Sequence, residues 1–147
     1  MSFKADVIDT LGDGTFYKGL GALKPADAGH VSCARPRELV GSADVDAALA
    51  APLPNDHRWD YVVGRTAGNV LNAHWIEVHP AGSTKNIAEV EKKLAWLSGW
   101  LHGNSLGQYP RDVVWVASGK STYNTRSPAI KALAAKGCRF VGGHLAL

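Results

Sequence analysis

Apolar and polar positions are most regular in the second half of the chain. Residues 59–63 (WDYVV) are strand formers, and residues 70–79 (VLNAHWIEVH) read as a second, longer strand. Between them lie Gly64, Gly68 and Asn69, all turn formers, so the two segments predict an antiparallel hairpin with its turn over residues 64–69. The clearest helix spans residues 86–102, where Ile87, Val90, Leu94, Leu97 and Leu101 recur at helical spacing. Asn86 and Glu89 resemble a capping box, Gly103-Asn104 gives the stop, and Glu89, Lys92 and Lys93 are expected in solvent. Residues 112–118 (DVVWVAS) predict a buried strand. Ser127-Pro128 opens a helix through Lys136, and residues 138–145 predict a last strand.

The first third is less regular. Residues 3–11 (FKADVIDTL) fit a short helix, after which Gly12, Gly14, Gly19 and Gly21 break the pattern. Residues 30–34 fit a short strand. Ser42 is placed to cap a helix over residues 43–51, with Asp44 in its first turn and Pro52 and Pro54 at its end. The expectation is one α/β domain over residues 1–147, with residues 1–41 an irregular N-terminal part and 42–147 the core. A mixed sheet would be flanked by helices, combining the hairpin with parallel strands reached through helical crossovers.

With 147 residues, 46% of them hydrophobic and 20% charged, the chain can bury a core without staples. Cys33 and Cys138 show no zinc spacing and read as reduced thiols. The opening MSFKADVIDTLGDG has no apolar signal region, and no apolar run is long enough to span a bilayer, so a cytoplasmic protein without membrane attachment is expected. The net charge of +3 is unevenly spread: residues 1–56 carry −3 and residues 57–147 carry +6. The basic part suits a polyanion, or is simply a well-solvated surface.

Strand alternation singles out one set of residues. Leu71, Ala73, Trp75, Glu77 and His79 share a face of the second strand, and a glutamate on such an apolar face is costly unless paired or bound to a cation. Asp60 poses the same problem on the neighbouring strand, and the hairpin brings it toward Glu77. Two converging carboxylates would suit a hard divalent cation such as Mg²⁺ or Mn²⁺. The plain alternative is structural: Asp60 paired with Arg58 or Arg65, and Glu77 hydrogen-bonded to His79.

An aspartate, a strand carrying Glu-x-His and then a long helix resemble the PD-(D/E)xK, or restriction-endonuclease-like, nuclease superfamily over roughly residues 42–145. The phrases at 58–61 (RWDY) and 76–81 (IEVHPA) look similar to those of a branch of small bacterial proteins. The resemblance implies a metal-dependent nuclease acting on DNA or RNA, with Asp60 and Glu77 holding Mg²⁺ or Mn²⁺. His79 stands where the family has lysine. Lys85 or Lys120 could replace the missing charge, and Lys120 is the expected catalytic cation. The alternative is an inactive module of the same fold that binds nucleic acid or a protein partner. The position of Lys85 and Lys120 relative to Asp60 and Glu77 separates the two: an ammonium within reach of both carboxylates favours the enzyme, whereas neutralisation by local arginines favours the module.

SGKST at 118–122 is not a P-loop, since its first glycine would fall at Val114. With Lys85, the residues Lys120, Tyr123 and Arg126 are instead candidate nucleic-acid contacts. Trp96 lies off the apolar stripe of its helix and fits a widened buried face. His30, His57, His102 and His144 read as structural, no nucleophile elbow is present, and a homodimer is the default assembly.

Overall fold

A computed structural model describes residues 2–147. Its central sheet has five strands in the order β2-β3-β4-β5-β6, comprising Leu39–Asp44, Tyr61–Ala67, Val70–His79, Arg111–Ala117 and Cys138–Phe140. β2 and β3 pair antiparallel, as do β3 and β4, whereas β4–β5 and β5–β6 are parallel. The parallel pairs are joined by α4 (Thr84–Leu101) and α5 (Pro128–Ala135). This is the mixed α/β sheet that the periodicity predicted.

The two faces of the sheet are covered differently. Val62, Ala73, Trp75, Val113, Trp115 and Ala117 look into the main core, which α1 (Phe3–Leu11), α3 (Val45–Leu49), α4 and α5 close. Tyr61, Val63, Ile76, Val114 and Val116 look the other way, against Leu23, Val31 and Leu145. That cover comes from Leu23, just ahead of α2 (Pro25–Ala28), and a small parallel sheet of β1 (Val31–Ser32) and β7 (Leu145–Ala146). His30 Nδ1 on the Gly143 carbonyl (2.7 Å) and Ser32 Oγ on His144 Nε2 (2.8 Å) fasten this sheet.

Several expectations need correction. Residues 1–41, expected as an irregular part outside the core, contribute to it: Phe3 and Val7 are buried in the main core and β2 begins at Leu39. Ser42 does not cap a helix. It lies buried in β2, where its hydroxyl accepts from the Ala22 amide at 3.0 Å, and Asp44 is the cap of α3. Pairing with β3 outweighs the local helix signal there. The hairpin turn is Gly68-Asn69 alone, with Gly68 at φ +63°. Gly64 belongs to β3 because the Phe3 ring packs directly on it, leaving no room for a Cβ. Helix α4 is capped from Ser83, whose amide donates to Asn86 Oδ1 at 3.2 Å, rather than by Asn86. Residues 138–145 split into β6 and β7 because Gly142-Gly143 turns the chain into the second sheet.

α4 carries an aromatic stack. Trp96 lies parallel to Trp100 (5.2 Å, 13°), Trp100 meets Trp75 edge-on (6.0 Å), and the Trp96 indole N–H donates to Asp56 at 2.8 Å. No helix among the described residues is long and apolar enough to cross a membrane. Cys33 is half-buried and Cys138 buried, and both are free thiols.

Candidate active site

The β3–β4 register pairs Tyr61 with Ile76, so Asp60, one residue before β3, stands opposite Glu77. Alternation turns Glu77 inward with Ala73 and Trp75, leaving it fully buried beneath α4. The backbone anchors one oxygen of each carboxylate. The Asp60 amide donates to Glu77 Oε1 at 3.2 Å, and the Val78 amide donates to Asp60 Oδ2 at 3.0 Å. The remaining oxygens, Asp60 Oδ1 and Glu77 Oε2, converge on one point.

A lysine ammonium occupies that point. Lys93 Nζ donates to Glu77 Oε2 and lies 3.8 Å from Asp60 Oδ1. Lys93 is therefore not a solvent residue: it sits on the inner flank of α4, beside Val90 and Leu97, with its side chain 20% exposed. His79, two residues beyond Glu77, spans two carboxylates. Its Nδ1 lies 3.5 Å from Glu77 Oε2 and its Nε2 3.1 Å from Glu89 Oε1. Asn86 Nδ2 donates to the same Glu89 oxygen at 3.0 Å. Glu89 thus packs against His79 rather than projecting freely.

Burial pushes Asp60 up to about 7, helped by the Glu77 charge, and the Lys93 ammonium and Val78 amide only partly offset this. For Lys93, burial works against the ammonium, but the charges of Glu77 and Asp60 prevail and hold its pKa above the usual lysine value. The hydrogen bond to Glu77 raises His79; burial opposes it, and Glu89 adds to the rise. The bond from Asn86, and then that from His79, lower Glu89.

The arginines are engaged elsewhere. Arg58 binds Asp46 at 2.9 Å, and Arg65 binds Glu38 at 3.1 Å and His74 at 3.3 Å. The structural alternative of Asp60 neutralised by Arg58 or Arg65 is thereby overturned. Lys120 is exposed and makes no ion pair with Asp60 or Glu77 among the described residues. The cation expected at that position is supplied by Lys93. The spacing held one signal for this: position 93 borders the stripe of Val90, Leu94 and Leu97 on the helix that follows the Glu77 strand.

The loop after β5 lies at the same end of the sheet. The Ser118 amide donates to the His79 carbonyl (3.2 Å), and the Thr122 amide donates to the Ala81 carbonyl (2.9 Å). Within this loop Lys120 and Arg126 are exposed, whereas Tyr123 packs partly against the core. On the far side of Lys93 and His79, α4 and His57 border a cleft of about 320 Å³ lined by His57, His79, Lys85, Glu89, Lys92 and Lys93. Lys85 lines this cleft but, like Lys120, makes no ion pair with Asp60 or Glu77 among the described residues, and His57, read from the sequence as structural, lines it too.

Asp60 and Glu77 offer hard oxygen donors of the kind a divalent cation takes, at a point the Lys93 ammonium fills. Two carboxylate oxygens converge where a cation already sits, and Mg²⁺ commonly takes one or two protein carboxylates while keeping several waters. No group of three or more His, Cys, Asp and Glu side chains is arranged as a metal cage among the described residues. Comparison with known proteins found no matching family model, no matching curated protein and no matching solved structure.

Proposed function

We propose that the protein is a metal-dependent nuclease of restriction-endonuclease-like fold that hydrolyses phosphodiesters of DNA or RNA. The observation that carries this reading is the convergence of Asp60 Oδ1 and Glu77 Oε2 on the ammonium of Lys93, a residue that also lines a basic cleft. The order hairpin, helix α4, parallel strand β5 supports the same resemblance.

Asp60 and Glu77 would hold Mg²⁺ or Mn²⁺, which when bound activates water and neutralises charge on the scissile phosphate. Lys93, released from Glu77, would keep its positive charge beside the reacting phosphate, the role the sequence offered to Lys85 or Lys120. His79, held between Glu77 and Glu89, favours its protonated form and adds positive charge rather than acting as a free base. Lys85 and Lys92 attract the polyanion to the cleft.

The test is cleavage of plasmid, single-stranded DNA and RNA with Mg²⁺ or Mn²⁺ by the wild type, Glu77→Gln and Lys93→Met. The reading expects metal-dependent cleavage that falls by roughly 100-fold or more in either variant. Absence of cleavage by the wild type, or full activity in Glu77→Gln, overturns it.

One observation favours a second reading, a non-catalytic binding module of this fold. Lys93 fills the cation position with the chain's own charge. Nucleic-acid binding that ignores Mn²⁺ and leaves the strand intact is its signature.

A further inference from the structure

One flank of α4 carries Lys85, Glu89, Lys92 and Trp96, whose spacing of four, three and four residues places them on one stripe; the lysines are exposed, and Trp96 is partly buried against the core. Lys85, Glu89 and Lys92 border the cleft, where Lys93 and His57 add further cationic or titratable groups. Glu89, the acidic member, is engaged by His79 and Asn86, so the stripe presents its lysines to an anion with little opposition.

Trp96 continues the stripe one turn beyond Lys92, about 6 Å along the helix axis. Its plane is fixed by stacking on Trp100 and by the indole bond to Asp56, the neighbour of the cleft residue His57. It is only partly buried. A partly exposed indole with a set orientation, next in line after two lysines, is a combination that binds a single strand: cations follow the phosphates and an aromatic face takes an unpaired base. The cleft also favours this. At about 320 Å³ it has room for one phosphate unit among Lys85, Lys92 and Lys93.

We infer that the protein acts on single-stranded nucleic acid, with a phosphate held by Lys85 and Lys92 in the α4 cleft and the adjoining unpaired base stacked on Trp96. The assignment rests on the nuclease reading and names the substrate class of that site. DNA and RNA share this chemistry, and the test separates them.

The experiment measures fluorescence anisotropy of labelled oligonucleotides of about 12 nucleotides, as single-stranded DNA, single-stranded RNA and duplex, in EDTA to prevent cleavage. The proteins are wild type, Trp96→Phe, Trp96→Leu and Lys85→Ala/Lys92→Ala. The inference expects at least one single strand to bind about tenfold or more tightly than duplex, and Trp96→Leu to weaken that binding about tenfold. Trp96→Phe, which keeps an aromatic face, should retain most of the affinity, and the double lysine variant should lose both affinity and salt dependence. Duplex binding equal to or tighter than single-strand binding, or single-strand affinity unchanged in Trp96→Leu, overturns it. Thermal melting shows whether each variant is folded, and Trp96→Phe is the reference if Trp96→Leu is not. A parallel Mn²⁺ cleavage assay separates the two claims. Glu77-dependent cleavage confined to duplex sinks the single-strand inference and leaves the nuclease reading standing, whereas no cleavage of any substrate sinks the nuclease reading.

Discussion

Asp60 and Glu77 hold each other through the backbone. The amide of Asp60 donates to the Glu77 carboxylate at 3.2 Å, and the amide of Val78, next to Glu77, donates to the Asp60 carboxylate at 3.0 Å. These reciprocal bonds fix one oxygen of each side chain and aim the other at Lys93. Two acids are thus kept close together at a buried strand end, an arrangement with an electrostatic cost that Lys93 and His79 reduce.

The first prediction concerns that cost. Lys93→Met removes the ammonium and leaves Glu77, which has no exposed surface, with His79 as its remaining cationic partner. Destabilisation of about 3 kcal/mol is expected, at the low end for an unpaired buried charge because His79 stays in place. Urea denaturation measures it. Added Mn²⁺ should restore part of the loss if the metal takes the position the ammonium vacates.

A pH dependence follows from Asp60, whose pKa rises from 3.8 to about 7 on folding. Between those values the folded protein holds a proton that the unfolded chain has released. The Asp60 contribution is therefore fully present below about 4 and is lost as pH rises through about 7. The stability difference between wild type and Asp60→Asn, measured by denaturation across this range, should shift in favour of the asparagine variant as pH rises. A difference independent of pH contradicts the assignment.

Asp112 has the opposite sign. Burial raises its pKa, but the paired bonds from Arg139 (2.8 and 2.9 Å) and the contact with His74 (2.8 Å) prevail and hold it well below the usual carboxylate range. Its stabilisation is present above about 4 and disappears as the solution is acidified through its folded-state pKa. Asp112→Asn should cost about 1.5–3 kcal/mol at neutral pH and progressively less in acid, as read from chemical denaturation.

The close approach of Phe3 to Gly64 gives a prediction about the fold alone. A Cβ at position 64 would lie 2.6 Å from the Phe3 ring, which is almost wholly buried. Gly64→Ala should destabilise by about 1–3 kcal/mol through overpacking. Gly64→Ala combined with Phe3→Leu should cost less than the two changes summed, as a double-mutant cycle of melting curves would show.

The elements legible in the sequence are those with a clean period. The 70–79 strand, the α4 stripe from Ile87 to Leu101 and the Ser127-Pro128 helix start all lie where expected within a few residues. So does the inward face of Glu77, because alternation alone decides it. What escapes depends on partners distant in sequence. Ser42 carries a local cap signal, but β3 recruits it into a strand. Gly64 reads as a turn former until Phe3, near the other end of the chain segment, is laid on it. Lys93 reads as a solvent residue because a long amphipathic side chain at the border of an apolar stripe can face either way, and only the buried charge of Glu77 turns it inward. Lys120 has the right chemistry in a loop at the right end of the sheet, but α4 supplies the nearer ammonium.

The central claim is that Asp60 and Glu77 together form a cation site able to take a divalent metal. Isothermal titration of Mn²⁺ at pH 8, above the Asp60 pKa of about 7, tests it most directly, with Asp60→Asn/Glu77→Gln as the control. The account predicts one Mn²⁺ bound per chain by the wild type, with little proton release because Asp60 is already ionised at this pH, and none by the folded double variant. Folded wild type that binds no Mn²⁺, or a double variant that binds it equally well, would contradict the account.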